Sequence, residues 1–499
     1  MGALGRRFIR NGLILTAVSV FTRGVALFFN SYISRTIGAE GVGLFSLVMT
    51  LYAFGVTFAT SGISLAVTTT VAGAIGEGKD RETSRIFRAA VAYALFFSSV
   101  AFLVFFIFAD SFATFVLSEP RAGSLIRILS LSLVPIGISS VVSGYFIGLR
   151  RVSKNAAVAI LSQIARVVLT VILIGGRTMT PERGAATVAI AMTLAELFSL
   201  VLSVLQYLFD KSRRCGGVGR HLLPLSKIAL PLALSSYVRS ALLTLEHALI
   251  PKKLREYGES SEGALASYGI LHGMALPLVL FPLSPLSSFA GMLVPEFSES
   301  FSKNDGQRLS RIAKKSVEAT LQYALAVATL LLVFSEELGY LFYSSYEAGR
   351  YIAVLALVVP IMYLDHVSDA ILKGIGEQVY SMLVNISDAV LSIVLVIVLI
   401  PRMGVFGYAV VILIMEGYNF TLSFIRLRRR IKFKLSVLSA IVAPSISALL
   451  SAVLTRELFV FTSLNTSALW LFLKVLFLLS AFILFVTLFS LFKKKENRA

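Results

Sequence analysis

Arg23 stands in AVSVFTRGVALFFNSYIS (17–34), a stretch otherwise apolar enough to sit in lipid. A cation near the middle of a bilayer costs at least about 2.5–3.5 kcal/mol, so it calls for a compensating anion or a wet cavity. Thr16, Ser19, Arg23, Asn30 and Ser34 recur at spacings of three, four and seven, which places them on one helical face. Ser235, Arg239 and Glu246 form a second stripe of the same kind. Two arginines on such stripes suit phosphate oxygens, which match the planar donor fork of a guanidinium. The competing reading is that each caps a carbonyl or pairs with a carboxylate.

Acidic and amide side chains make a second group. Asp365 and Asp369 are i and i+4 in LDHVSDAILK, and Ser381, Asn385, Asp388 and Ser392 make a continuous stripe on the following apolar run. Oxygens gathered this way could hold a sodium ion, or a buried carboxyl could carry a proton; interhelical hydrogen bonding is the plainer use. Glu416 and Asn419 fall in the same class, whereas Arg166 and Glu196, on neighbouring runs, read as a structural ion bridge. His247, His272 and His366 have no metal-like spacing; His272 either sees a cavity or is structural. Pro277, Pro282, Pro285 and Pro295 crowd one apolar run, where each interior proline removes a backbone bond and bends the helix. That makes a gate or a static bend. GAIGEGKD at 73–80 imitates the start of a phosphate-binding loop, but Asp80 replaces the required Ser or Thr and no strand precedes it. With no nucleophile elbow or metalloprotease pattern, no catalytic role is expected.

The elements that must position these groups are membrane helices. Of 499 residues, 57% are hydrophobic and 15% charged, far from the proportions of soluble domains. Apolar runs of about 20 residues divide the chain into fourteen expected spans, from 11–35 to 464–492. The first follows MGALGRRFIRN without a short signal-like core and is expected to stay as a permanent helix. Lys and Arg favour one set of connecting segments by nearly three to one, which places both termini in the cytoplasm. The net charge of +19 is thereby an orientation device and an anchor on anionic lipid rather than a nucleic-acid footprint. Cys215, the single cysteine, allows no intrachain disulfide.

A repeat is visible as well. SRIFRAAV (84–91) returns as SRIAKKSV (310–317), and YFIGLRRVSKNAAVAILSQIARVVLTVILI (145–174) has a weak echo in AILKGIGEQVYSMLVNISDAVLSIVLVIVLI (370–400). Spans 1–6 and 7–12 are therefore expected to be two copies of one unit with two spans appended, giving domains at 1–210, 211–430 and 431–499. Paired repeats of this kind tend to hold a substrate between them near the midplane. Arg23 and Arg239 then occupy nearly equivalent positions.

SRTIGAEGVGLFSLV, TSGISLAVTTTVA, SGYFIGLRRVSKNAAVAILSQIARV, LIPKKL followed by YGILHGMALPL, and LIPRMGVFGYAV occur in order. Together they resemble the stage V sporulation protein B and polysaccharide-biosynthesis branch of the multidrug, oligosaccharidyl-lipid and polysaccharide exporter superfamily. The resemblance implies two six-helix lobes around a cavity lined by helices 1, 2, 7 and 8, with helices 13 and 14 offering a groove for a lipid tail. It implies translocation of saccharides linked to lipid pyrophosphate by alternating access. Arg23 matches a cavity arginine of that family, and Glu246, Asn385 and Asp388 resemble an acidic cluster linked there to sodium. The family's arginines of helices 2 and 8 are missing here, which leaves Arg239 and His272 as substitutes.

The expectation is thus an all-α, fourteen-span flippase of the cytoplasmic membrane, without cofactor, carrying a peptidoglycan or related cell-surface precursor. Arg23, Asn30, Arg239 and His272 would bind substrate. Glu246, Asn385 and Asp388 would couple to sodium or protons, with no other metal, and Pro277, Pro282 and Pro285 would gate. Membrane lipids and cell-envelope synthesis proteins are the expected partners, in growth or sporulation. A multidrug and cation antiporter of the same fold, or a scaffold for envelope assembly, are the alternatives; midplane arginines would repel cationic drugs, and a scaffold would not need them.

Overall fold

A computed structural model describes residues 3–79, 82–176, 179–210, 222–435, 438–459 and 468–496. These residues form helices and no strands. The chain divides into two compact units, residues 1–269 and 270–499. The first contains α1 (Ala3–Thr60), α2 (Ile63–Gly76), α3 (Thr83–Ile107), α4 (Ala109–Ser111), α5 (Ala122–Ser130), α6 (Leu133–Gly148), α7 (Val152–Ile174), α8 (Pro181–Leu208), α9 (Leu222–Tyr257) and α10 (Ser261–Tyr268). After a π-helical stretch, Gly269–Ala275, the second contains α11 (Leu276–Leu280), α12 (Leu283–Ser302), α13 (Gly306–Val333), α14 (Ser335–Tyr343), α15 (Tyr346–Ala356), α16 (Val359–Gly374), α17 (Gln378–Arg430), α18 (Ala443–Phe459) and α19 (Ala468–Glu496).

The apolar run Ala17–Gly76 is 60 residues long, about 90 Å if straight at 1.5 Å per residue and roughly three times the hydrocarbon core of a bilayer. It is divided accordingly. Gly38, at φ 74° and ψ 176°, breaks α1, a conformation open to glycine because it has no Cβ. Gly404, at φ 59° and ψ −144°, breaks the 53-residue α17 in the same manner. The expected fourteen spans are not reached as a count. Among the described residues nine helices are long and apolar enough to cross, or eleven when two bent pairs are each taken as one span. Two of the nine are the long runs broken at Gly38 and Gly404.

Those bent pairs give the repeat a physical form. In the first unit α5 and α6 meet at 41°, and in the second α15 and α16 meet at 56°. At the end of each pair a glycine permits close packing. A Cβ on Gly148 would lie 2.9 Å from Val71 Cβ and 3.0 Å from Thr68 O; one on Gly374 would lie 2.9 Å from both Phe297 Cβ and Val294 O. Each residue of the second trio follows its counterpart by the same interval that separates SRIFRAAV from SRIAKKSV. Two pseudo-symmetric sets of helices are thus built on the same contacts.

In the first unit the core joins α2, α3, α6 and α9. Phe87 stacks on Tyr207 at 3.8 Å and meets Tyr145 edge-on, while Leu225 and Ala229 of α9 are buried in the same cluster. Farther along α9, the Tyr237 hydroxyl donates to Ser61 Oγ at 2.5 Å and the Tyr237 ring stacks on Phe58. By packing, α9 belongs with α1–α3, although the repeat makes it the start of the second copy. In the second unit α18 and α19 pack on α13 through Ala326, Ala448 and Phe482.

Candidate functional site

Arg23 lies on α1 and Arg239 on α9, both exposed and both in the first unit. Among the described residues neither forms an ion pair, whereas Arg166 Nη2 sits 2.9 Å from Glu196 Oε1, the structural bridge expected for that pair. Asn30 is half-buried and Ser34 is 4% exposed with its hydroxyl unpartnered among those residues. The Thr16 and Ser235 side chains lie outside the described residues.

Glu246 is 8% exposed on α9 and lies close enough to Tyr268 for their charges to interact. Its neighbour His247 meets the Tyr268 hydroxyl at 3.3 Å. Thr244, one turn earlier, donates to Thr50 O at 3.1 Å and ties α9 to the second helix of α1. Glu246 thus sits in a tightly packed corner of the first unit.

Asn385 and Asp388 belong to the second unit. Asn385 Nδ2 donates to Ser381 O at 2.7 Å. Asp388 is within electrostatic reach of Asp365 and Glu416, so three carboxyl groups from α16 and both parts of α17 gather in one place. Ser423 hydrogen-bonds Asp365, and Asp365 Oδ1 and Asn419 Oδ1 are buried without a hydrogen-bond partner among the described residues. Asp369 is drawn aside by Ser381 Oγ and by Lys373 Nζ at 2.5 Å. No group of three or more metal-capable side chains with metal-holding geometry occurs among the described residues. The sequence places Glu416 and Asn419 in the same class as these carboxyls; that Glu416 comes within electrostatic reach of Asp365 depends on the pairing of α16 with α17.

The proline-rich span is broken, as its composition predicts, but into more pieces than one kink. The π-helical Gly269–Ala275 carries His272; Pro277 sits in the first turn of α11, Pro282 precedes α12 and Pro285 lies in its first turn. Lacking N–H groups, Pro282 and Pro285 leave the carbonyls of Leu278 and Phe281 without helical donors. Phe281 N donates to Leu278 O, and Ser284 donates to Phe281 O through both its amide and its hydroxyl. Neighbouring helices supply two more donors: Tyr323 OH to Pro282 O at 2.6 Å, and Tyr363 OH to Val279 O at 3.2 Å. Inside lipid such exposed backbone persists only where side chains satisfy it.

Sequence reading passes over the charged clamps at span ends, because such charges look like orientation signals. Asp210, 3% exposed in its side chain, pairs with Arg151 and, at 3.4 Å, with Lys154, joining the end of α8 to the α6–α7 elbow. Glu377, between α16 and α17, pairs with Arg426 at 2.8 Å and with Arg430. These are equivalent places in the repeat with the signs reversed. Arg121 bridges Glu119 and Glu40, at 2.7 Å each, and Arg255 Nη2 donates to Ser118 O at 3.0 Å. The phosphate-loop imitation is a helix exit, where Lys79 pairs with Glu77 at 2.7 Å in the open; Asp80 lies outside the described residues.

A polytopic helical chain with a doubled core, broken spans and polar groups inside its spans has the construction of a membrane transporter. Residues 8–301 match the family described as polysaccharide biosynthesis protein, and the chain belongs to that family. Residues 257–398 also match the MatE family. Among characterised relatives, the chain is 26% identical over 425 residues to stage V sporulation protein B of Bacillus subtilis (strain 168), covering 81% of this chain and 80% of the relative. It is 24% identical over 443 residues to lipid II flippase MurJ of the same organism, covering 81% and 79%. Among solved structures, lipid II flippase MurJ in an inward closed conformation superposes with a TM-score of 0.74 at 14% identity, covering 95% of this chain and 98% of that one. An inward-facing multidrug resistance MATE family transporter of the MOP superfamily gives 0.68 at 16% identity, covering 83% and 98%. The expected superfamily and the all-α transporter architecture both stand.

Proposed function

We propose that this transporter is a flippase of the cytoplasmic membrane that carries saccharides linked to lipid pyrophosphate, as peptidoglycan or related surface precursors, from the inner to the outer leaflet. The observation that carries the reading is the state of Arg23 on α1 and Arg239 on α9, both exposed and unpaired with any carboxylate among the described residues. A bare guanidinium cannot face lipid cheaply, so it belongs in a wet cavity that takes an anion. A pyrophosphate supplies that anion, with Asn30 and His272 on its polar surroundings and the lipid tail left in the bilayer. A cationic drug would be repelled.

In this reading residues 1–210 and 211–430 act as lobes, 431–499 flank the lipid tail, and both termini lie in the cytoplasm. Pro277, Pro282 and Pro285 let the broken span flex. Sodium or protons couple through Glu246, Asn385 and Asp388, the last within reach of Asp365 and Glu416. Cell-envelope synthesis enzymes would supply and consume the cargo.

The test is leaflet accessibility of a lipid-pyrophosphate-linked sugar in proteoliposomes, with and without a sodium or proton gradient. The sugar should become accessible on the far side only with protein present, faster with the correct gradient. Accessibility equal to that of protein-free vesicles would refute the function; gradient-independent movement would refute the coupling alone.

A further inference from the structure

A cavity lies apart from the groups described above. It encloses about 500 Å³ in the second unit, between the start of α15 and the segment after the Gly404 break, and is lined by Tyr346, Glu347, Arg350, Tyr351, Val354 and Phe406. Small-molecule sites commonly fall between about 300 and 1,000 Å³, aromatic in lining with a few polar groups. Both walls are fixed locally. Ser344, at φ 52°, ends α14, and Ser345 Oγ accepts from Ala348 N at 3.1 Å to start α15. Tyr346 stacks on Tyr340 at 5.1 Å and 24°, so its ring belongs to a two-ring platform rather than a free rotor. Tyr346 is 58% and Phe406 51% exposed.

The charges decide the class of ligand. Glu347 and Arg350 are exposed, and among the described residues neither has an ion-pair partner, not even the other. An anion would meet the Glu347 carboxylate and a cation the Arg350 guanidinium. A neutral polyhydroxylated ring can use both, donating hydroxyls to Glu347 and accepting from Arg350, while its C–H faces lie on Tyr346 and Phe406. We infer that this cavity is a docking site for a neutral sugar of the transported head group. The inference rests on the saccharide reading above, whose orientation puts this end of α15 outside the cell, where a flipped head group emerges.

The experiment is binding of chitotriose and maltotriose to the purified, detergent-solubilised full chain, read by saturation-transfer NMR and calorimetry. At least one trisaccharide should bind saturably, and Tyr346→Ala and Arg350→Ala should each weaken it at least tenfold. Both side chains are exposed, so melting temperatures should match the native protein and exclude misfolding. Inorganic phosphate should not displace the sugar, and a lipid-pyrophosphate-linked sugar in mixed micelles should. No saturable binding, equal binding by the variants, or displacement by phosphate overturns the sugar site; failure of the lipid-linked sugar to compete overturns its assignment to the head group. Leaflet transport with no trisaccharide binding would sink this site and leave the proposed function standing. Trisaccharide binding without transport would leave a sugar site but overturn both the proposed function and the assignment of the site to a transported head group.

Discussion

Replacing Gly43 with alanine should be among the most damaging single-methyl additions in the first unit. A Cβ at position 43 would fall 1.9 Å from Leu265 O and 2.7 Å from Leu265 C, backbone atoms of α10 that cannot swing away. The approach is mutual, since a Cβ on Gly269 would lie 2.3 Å from Ala39 O and 2.6 Å from Gly43 N. Real Cβ contacts stay beyond 3.0 Å, so α1 and α10 must part by at least ~1 Å. Overpacking costs about 1–3 kcal/mol, and alanine regains about 1 kcal/mol of helix propensity over glycine. With backbone on both sides the strain belongs at the upper end, so the net loss is about 2 kcal/mol. Gly73→Ala, on α2 with nothing within 4 Å of its Cβ, meets no obstruction and should gain about 0.5–1 kcal/mol. Denaturant unfolding of both variants in one detergent should move their midpoints in opposite directions. If Gly43→Ala is as stable as the native protein, or the two shift alike, the close packing of α1 on α10 is wrong.

Two further predictions concern the sign-reversed clamps. Asp210→Asn leaves Arg151 and Lys154 without their buried partner; because both cations can hydrate, the loss should be about 1–3 kcal/mol by denaturant unfolding. Arg151→Glu combined with Asp210→Arg, which copies the charge order of the second unit, should be more stable than either single change. Glu377 is held below the usual carboxylate range mainly by its hydrogen bond from Arg426. A depressed folded-state value adds stability above the unfolded pKa of about 4.3 and loses it as pH falls through the folded value. Glu377→Gln should therefore melt below the native protein at pH 6, and the gap should close on acidification below ~4; a pH-independent gap would contradict the clamp.

The helices were legible because lipid is a demanding solvent: every backbone group must be satisfied within its own segment, which writes long apolar runs into the chain. Arg166 and Glu196 were legible as a bridge because an intramembrane charge on one span calls for the opposite charge on a neighbour. The breaks were half legible. Pro282 and Pro285 announce a disrupted helix, but the donors from Tyr323 and Tyr363 come from distant positions that no periodicity links to them. The docking of α9 against α1–α3 is a choice among apolar faces of similar character, which local pattern does not decide. The cavity at Tyr346 was hidden for a related reason: its aromatic residues look like an ordinary interfacial belt, and only the Gly404 break brings Phe406 beside them.

The central claim is that Arg23 and Arg239, without an ion-pair partner among the described residues, hold the cargo's anion. The most direct measurement compares leaflet accessibility of a lipid-pyrophosphate-linked sugar for the native protein and for Arg23→Ala/Arg239→Ala, reconstituted at equal density with equal melting temperature. The account predicts that the native protein moves the sugar and that the double variant falls at least tenfold, toward the protein-free rate. Equal movement by both would contradict it and make Arg23 and Arg239 structural.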